Sequence, residues 1–144
     1  MSFLPEDDSF QNFLETSLQL MRRECAPAYQ VLCELLAPRQ VAIAVDREEV
    51  VLAFTTERAA MLPPAAAQPA LRLQMKRETI LDLTDGKFTL QEAILDGVVT
   101  VQGDLKELVL FHEGWLAYMR GAIRCPSLPD LLERYRYPAE LLSY

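Results

Sequence analysis

Most of the secondary-structure signals in this chain lie between residues 71 and 105, which read LRLQMKRETILDLTDGKFTLQEAILDGVVTVQGDL. The opening segment, Leu71-Arg72-Leu73-Gln74-Met75, alternates apolar and polar side chains, and this alternation predicts a half-buried strand. The next segment, from Arg77 to Asp85, predicts a short helix. Gly86 follows that helix and is predicted to take the left-handed conformation that commonly ends one.

A capping box opens the second half of this stretch. In Thr89-Leu90-Gln91-Glu92 the Thr89 hydroxyl can accept from the amide of Glu92, and the Glu92 carboxylate can accept from the amide of Thr89. The pattern predicts a second short helix that stops at Asp96-Gly97. The β-branched run Val98-Val99-Thr100-Val101 then predicts a strand.

A long helix is predicted after this strand. Asp104 is placed to act as its N-cap and Glu107 to complete a second capping box. The helix should run to about Ala122. Gly114 lies inside it and costs roughly 1 kcal/mol relative to alanine, so a break at Gly114 is an open alternative.

The sequence before residue 71 begins with helical signals and continues with strand signals. Ser9 is predicted to cap a helix that ends at about Glu24, and a second helix is predicted from Ala28 to about Leu36. Two apolar runs, Val41–Val45 and Val50–Thr55, predict the strands of a hairpin. The stretch Ala59 to Pro69 contains three prolines and is predicted to be a loop, because adjacent prolines cannot sit in a central strand.

The order of these elements indicates an α+β fold with one domain. We expect a sheet of four to five strands, antiparallel or mixed, covered on one face by helices. After Pro126, a final amphipathic helix carries apolar side chains at Leu128, Leu131, Leu132 and Tyr135. This division predicts a core domain over residues 1–122 and an extra C-terminal helical extension over residues 123–144, packed on the core.

Composition and charge exclude several classes of protein. The chain has 144 residues, of which 51% are hydrophobic and 24% charged, as in ordinary folded domains. With a formal net charge of -7, the chain lacks the excess of basic residues that a nucleic-acid binder carries, so we expect no nucleic-acid partner. The sequence contains no apolar run of roughly 18 residues, so we expect no stable membrane insertion.

The start of the chain and its cysteines predict a cytoplasmic location. Residues 1–8 are acidic, where a secretory signal needs positive charge. The three cysteines, Cys25, Cys33 and Cys125, form no CxxC pair. An odd number of cysteines without a signal peptide favours reduced thiols, which we expect to be small buried apolar groups.

Motifs that would indicate catalysis or metal binding are absent from the sequence. The five glycines form no phosphate-binding motif, and a single histidine, His112, excludes a zinc site built on several histidines. A nucleophilic pair of His112 and Cys125 is an alternative that no local signature supports. His112 is better interpreted as a hydrogen-bonded residue at the edge of an apolar helix face. We therefore expect no enzymatic activity, no cofactor and no metal.

The predicted long helix has more apolar residues than one buried stripe requires. A helix that is apolar nearly all round is either buried or contacts another molecule. It could be a central helix covered by the C-terminal one, or a wall of a hydrophobic cavity, and the two interpretations are compatible. The apolar residues are Leu105, Leu108, Val109, Leu110, Phe111, Trp115, Leu116, Tyr118 and Met119.

The stretch from Leu71 to Leu110 resembles the lipid-transfer domain of the type-two sterol carrier protein family. The family's pattern is a strand, a short helix ending in Gly-Lys, a helix before Gly, a strand, and Gly-Asp opening the last helix. Its counterparts here are Leu71–Met75, Asp85-Gly86-Lys87, Ala93–Gly97, Val98–Val101 and Gly103-Asp104. The helix and hairpin upstream also fit the family's layout, so the resemblance extends over residues 9 to 120.

This resemblance implies a non-catalytic carrier with an apolar tunnel between the sheet and its helices. The implied ligand is a fatty acyl chain, a sterol-like molecule or another hydrophobic lipid. Such a tunnel should have a volume in the ~300–1,000 Å³ range of ligand sites. The predicted lining residues are Phe54, Leu73, Ile80, Leu83, Phe88, Ile94, Val99, Leu105, Leu108, Val109 and Leu116.

Two further expectations accompany this implied function. His112 or Arg120 could meet a polar head group at the mouth of the tunnel. The main alternative is a protein-interaction or accessory module with a filled pocket, which forms a homodimer or binds a partner enzyme. That alternative predicts an exposed apolar patch around Leu128, Leu131, Leu132 and Tyr135.

Overall fold

A computed structural model describes residues 9–137 of the chain. The predictions for residues 1–8 and 138–144 lie outside this range. Its helices are α1 (Phe10–Glu24), α2 (Ala26–Leu36), α3 (Arg77–Thr84), α4 (Leu90–Leu95), α5 (Leu105–Arg124) and α6 (Leu128–Arg136). Its strands are β1 (Gln40–Val45), β2 (Glu48–Phe54), β3 (Ala59–Leu62), β4 (Leu71–Met75) and β5 (Thr100–Gly103).

The strands form one mixed sheet in the order β3-β2-β1-β4-β5. The hairpin of β1 and β2 is antiparallel, and so are the pairs β2–β3 and β4–β5. In contrast, β1 and β4 are parallel, with Val41 opposite Leu71 and Ile43 opposite Leu73. This arrangement confirms the predicted α+β fold with a five-stranded mixed sheet and a C-terminal helix.

Alternation along the strands places one apolar face of the sheet against the helices. In β1 and β4 this face carries Ile43, Val45, Leu73 and Met75, which belong to the buried core. On the opposite face, β1 carries the small residues Ala42 and Ala44. Ala42 of this face is buried at a position opposite Val51.

The long helix α5 packs closely on α2 through two glycines. A Cβ at Gly114 would lie 2.8 Å from Cδ1 of Leu36, and a Cβ at Gly121 would lie 2.8 Å from the Cβ of Ala28. Both glycines are buried. The helix is continuous through Gly114, so the predicted alternative of a break at this position is wrong. Because Gly114 and Gly121 have no side chain, the two helices can pack closely at these positions.

Local signals predicted several helix ends correctly. The Ser9 hydroxyl accepts from the amide of Asn12 at 3.0 Å and caps α1. The predicted capping box of α4 is confirmed, because Glu92 donates its amide to the Thr89 hydroxyl at 3.1 Å and accepts from the Thr89 amide at 2.8 Å. Gly86 has φ 76°, the left-handed conformation predicted for the end of α3.

The prediction that Ala59 to Pro69 is entirely a loop was wrong. Ala59–Leu62 forms the edge strand β3, and Pro64–Ala66 forms a single 3₁₀ turn. An edge strand needs hydrogen bonds on one side only, and the adjacent prolines follow it without interrupting its pairing with β2. The hydroxyl of Tyr29 accepts from the amide of Ala59 at 2.8 Å and so supports the start of this strand.

Two predictions around β5 also need correction. The strand begins at Thr100, because the amides of Val98 and Val99 both donate to the carbonyl of Ala93 and continue the end of α4. The second capping box does not form: Asp104 is the N-cap residue of α5 but makes no side-chain cap. Glu107 instead accepts from Nε of Arg39 at 2.6 Å.

We expect Gly121→Ala to lower the free energy of unfolding by about 1–3 kcal/mol, as overpacking does. In an unconstrained helix the same change would stabilise by roughly 1 kcal/mol. Here the new methyl group meets the Cβ of Ala28, which cannot rotate away. Urea denaturation of the wild type, of Ala28→Gly, of Gly121→Ala and of the double variant Ala28→Gly/Gly121→Ala measures the coupling free energy between the two positions. If Gly121→Ala lowers the free energy of unfolding by as much in the Ala28→Gly background as in the wild type, close packing against Ala28 is not the cause of the destabilisation.

Candidate functional site

An inner cavity of about 80 Å³ lies between the sheet and its helical layer. The surface that faces the cavity is apolar. Tyr118 turns its hydroxyl to Ser17, to which it donates at 2.9 Å, and burial raises the pKa of Tyr118 to about 12. The lining residues are Phe10, Phe13, Leu14, Leu18, Leu32, Leu36, Ile43, Leu52, Phe54, Leu73, Met75, Ile80, Leu83, Thr84, Leu90, Phe111, Gly114, Trp115 and Tyr118.

This cavity is smaller than the sequence led us to expect. Ligand sites usually have volumes of about 300–1,000 Å³. Here Phe111, Trp115 and Tyr118 lie on one face of α5 at helical spacing, and all three line the cavity. The rings of Trp115 and Tyr118 stack with centroids 5.8 Å apart. The expectation of several hundred cubic ångströms inside the fold was therefore wrong for this conformation.

A second apolar surface lies outside the core, between α4 and the first half of α5. This outer groove has a volume of about 720 Å³. Leu95 and Leu105 on its walls are 85% and 75% exposed. The outer groove and the inner cavity share no lining residue, because α5 separates them. The groove is lined by Thr89, Gln91, Glu92, Ile94, Leu95, Leu105, Leu108, Val109 and His112.

The eleven predicted lining residues do not form one site. One group, consisting of Phe54, Leu73, Ile80 and Leu83, lines the inner cavity. A second group, consisting of Ile94, Leu105, Leu108 and Val109, lines the outer groove. The remaining three, Phe88, Val99 and Leu116, line neither space.

Most of the cavity wall comes from residues that the sequence analysis did not select. Among them are Phe13, Leu14 and Leu18 on the apolar stripe of α1, and Ile43 and Leu52 on the inner face of the hairpin. Their periodicity was visible in the sequence and predicted burial. Periodicity does not distinguish a buried residue that contacts a cavity from one that contacts another side chain.

The predicted polar and nucleophilic residues lie away from the inner cavity. His112 is on the wall of the outer groove, and Arg120 lines neither space. Cys125 is the C-cap residue of α5, thirteen positions after His112, which corresponds to about 20 Å along a helix. The two therefore form no Cys–His pair. Burial also raises the pKa of Cys125 and Cys33, which disfavours the nucleophilic thiolate.

Helix α6 contributes no residue to the lining of the inner cavity but lies beside a recess that adjoins it. An apolar recess of about 220 Å³ lies between α5 and α6, and it shares Phe13, Thr84 and Tyr118 with the inner cavity. The ring of Tyr135 on α6 stacks on Phe13 with centroids 4.4 Å apart. Tyr135 is buried together with Leu131, so these residues form no exposed patch of the kind that the interaction alternative predicted.

Polar contacts attach α6 at both ends. Ser127, just before the helix, donates its amide and hydroxyl to the Glu24 carboxylate at 3.1 and 2.5 Å. Arg136, at the last helical position, donates to Asp85 at 2.6 Å. The hydrogen bonds from Ser127 lower the pKa of Glu24, and the hydrogen bond from Arg136 lowers the pKa of Asp85.

Within residues 9–137 the structure contains no cluster of three histidine, cysteine or acidic residues that could hold a metal ion. In the same range, none of the helices combines the length and the apolarity that crossing a bilayer requires.

A sequence model of the SCP-2 sterol transfer family matches residues 19–112, more than half of the chain. The chain belongs to this family. Membership implies lipid binding or transfer. The match ends at His112, so the second half of α5 and all of α6 lie beyond it. No curated protein matches the chain in sequence.

Solved structures of SCP-2 domains share the fold. The sterol carrier protein domain 2 of Helicoverpa armigera aligns with a TM-score of 0.56 at 16% identity, covering 79% of this chain and 91% of that one. The apo form of sterol carrier protein 2 from Yarrowia lipolytica gives 0.54 at 12% identity, covering 82% and 98%. A protein described as "UbiJ-SCP2 Ubiquinone synthesis protein" gives 0.55 at 21% identity, covering 70% and 90%.

We expect Tyr135→Phe to leave the free energy of unfolding unchanged or to raise it by up to about 1 kcal/mol. The Tyr135 hydroxyl is buried and has no hydrogen-bond partner within residues 9–137, so its removal relieves a desolvation cost. Tyr135→Ala should instead lower the free energy by about 3–5 kcal/mol, because the stacked ring is lost. Urea denaturation measures both. Equal destabilisation by the two variants would contradict this account.

The attachment of α6 should weaken in acid. The folded-state pKa of Glu24 lies below its ordinary 4.5 and that of Asp85 below its ordinary 3.8. Each carboxylate therefore contributes stability above its unfolded pKa, and the contribution is lost as the pH falls through the folded value. Urea denaturation between about pH 6 and pH 3 should show a shallower loss of stability for Glu24→Gln/Asp85→Asn than for the wild type.

The control for this experiment is Glu113→Gln, because Glu113 is exposed on α5 and makes no ion pair within the described residues. It should reproduce the wild-type pH dependence. If the double variant loses stability as steeply as the wild type when the pH is lowered, protonation of these two carboxylates is not what destabilises the protein in acid.

Proposed function

We propose that this chain binds a fatty acyl or sterol-like hydrophobic molecule in the inner cavity and carries it without covalent change. The observation that supports this proposal most directly is the apolar cavity between the sheet and the helices, in a chain of the SCP-2 sterol transfer family. In this proposal Phe54, Leu73, Ile80 and Leu83 contact the ligand. The predicted residues on the outer groove do not.

The cavity must widen to accept such a ligand. Phe111 and Trp115 are half-buried at the cavity wall, so they can turn outward at a smaller cost than fully buried residues such as Leu36. Burial of each ligand CH₂ gains about 0.8 kcal/mol, so ten of them gain about 8 kcal/mol. That sum corresponds to a dissociation constant on the order of 1 μM before the free-energy cost of ordering the ligand and the side chains is subtracted.

Trp115 provides a direct test, because it is the single tryptophan of the chain and lines the cavity. We expect a polyene fatty acid whose absorption overlaps tryptophan emission to quench Trp115 in a saturable manner. Native mass spectrometry of protein purified from cells should detect a bound lipid, and solvent extraction should identify it.

A matched pair of substitutions locates the ligand. Leu83→Phe adds bulk on the cavity wall and should weaken binding by about ten-fold, since overpacking costs about 1–3 kcal/mol and about 1.4 kcal/mol is ten-fold. Leu95→Phe makes the same change on the outer groove and should leave binding unchanged. The proposal is wrong if no lipid copurifies and Trp115 does not respond. If Leu95→Phe is the variant that weakens binding, the ligand occupies the outer groove.

The second candidate function is that of an accessory module that binds a partner enzyme or a second copy of itself. Its specific support is the outer groove, whose Leu95 and Leu105 are mostly exposed, together with the small inner cavity. The similar UbiJ-SCP2 protein is described as a ubiquinone synthesis protein. Failure of the lipid tests with an intact fold would favour this candidate.

A further inference from the structure

A polar recess of about 270 Å³ adjoins the inner cavity and shares no lining residue with the recess beside α6. It lies between α1, α2 and the start of β3. Leu18 and Leu52 line both the recess and the inner cavity, so these two side chains form the wall between them. The outer groove, by contrast, shares no residue with the cavity. The recess is therefore a candidate mouth of the cavity.

Two arginines line this recess from different elements. Arg22 comes from α1, and its guanidinium carbon lies 5.9 Å from the centroid of the Tyr29 ring. Arg58 comes from the β2–β3 turn, where the Thr55 hydroxyl accepts from the Arg58 amide at 3.1 Å. Neither arginine forms an ion pair within residues 9–137. Glu15 also lines the recess, so the two guanidinium groups exceed the acidic charge there by one.

At its other end, where it adjoins the recess beside α6, the cavity has a different chemistry. The recess between α5 and α6, which adjoins that end, is lined by no charged residue of the described chain. A ligand that spans the cavity would therefore contact two cations at one end and a mostly apolar surface at the other. Guanidinium groups are planar and pair with carboxylate or phosphate oxygens through two parallel hydrogen bonds.

We propose that Arg22 and Arg58 bind the anionic head group of the ligand, so that the preferred ligand is an acyl amphiphile with a carboxylate or phosphate head. The head lies in the polar recess, and the tail passes between Leu18 and Leu52 into the cavity and points toward α6. This inference rests on the proposed lipid-binding function and adds the class and the direction of the ligand.

The experiment compares ligands that have the same tail and different heads. Dodecanoate, dodecyl phosphate and 1-dodecanol are titrated into the full chain, with Trp115 emission and native mass spectrometry as readouts. At least one of the two anions should bind about ten-fold more tightly than the alcohol, and the stronger of the two identifies the head group. Raising the salt concentration to about 0.5 M should reduce this preference, because the recess is exposed to solvent.

Substitutions test the assigned cations. Arg22→Gln/Arg58→Gln should weaken binding of the anion by about ten-fold and leave the alcohol unaffected. Arg23→Gln is the matched control, because Arg23 is the next residue of α1, is exposed and does not line the recess. Circular dichroism and thermal melting verify that each variant folds.

The outcomes separate this inference from the function on which it rests. Equal binding of the anions and the alcohol by the wild type would overturn the head-group assignment and leave the carrier function intact. An equal loss of both ligand types in the double variant, or the same loss in Arg23→Gln, would also overturn it. Binding of none of the three ligands would overturn the proposed function itself.

Discussion

The close contact between α5 and α2 determines how the helical layer lies on the sheet. At Gly121 the backbone of α5 approaches Ala28 so closely that a methyl group would lie 2.8 Å from its Cβ, and Gly114 approaches Leu36 in the same way. Within about one helical turn of Gly114, Phe111, Trp115 and Tyr118 line the cavity between the helices and the strands. The depth of this contact therefore controls the volume that remains between the two layers.

The same helix separates two apolar spaces that could serve different functions. Its inner face contributes aromatic rings to the apolar inner cavity, while Leu105, Leu108 and Val109 on its other side form part of an exposed groove. This division explains the excess of apolar residues on α5. The alternatives of a central core helix and a cavity wall are both compatible with the inner face, and the outer groove accounts for Leu105, Leu108 and Val109.

Predictions from the sequence succeeded where the responsible interactions are local. The capping box at Thr89 and the left-handed Gly86 depend on atoms within a few residues of each other, and the alternation in β4 depends on the geometry of a single strand. Predictions failed where a distant partner decided the outcome. Glu107 pairs with Arg39 and not with its own helix end, and Ala59 begins a strand that Tyr29, thirty positions earlier, supports.

The amino-acid sequence by itself determined the α+β class, nearly all helices and strands, the burial of the apolar stripes and the resemblance to a lipid-transfer family. Periodicity and capping act over short distances, so they can be read without coordinates. Only the tertiary structure decided which buried residues face a void, how large that void is and which side chains surround its two ends. A cavity is the space left after distant segments have packed, and no local pattern encodes its volume.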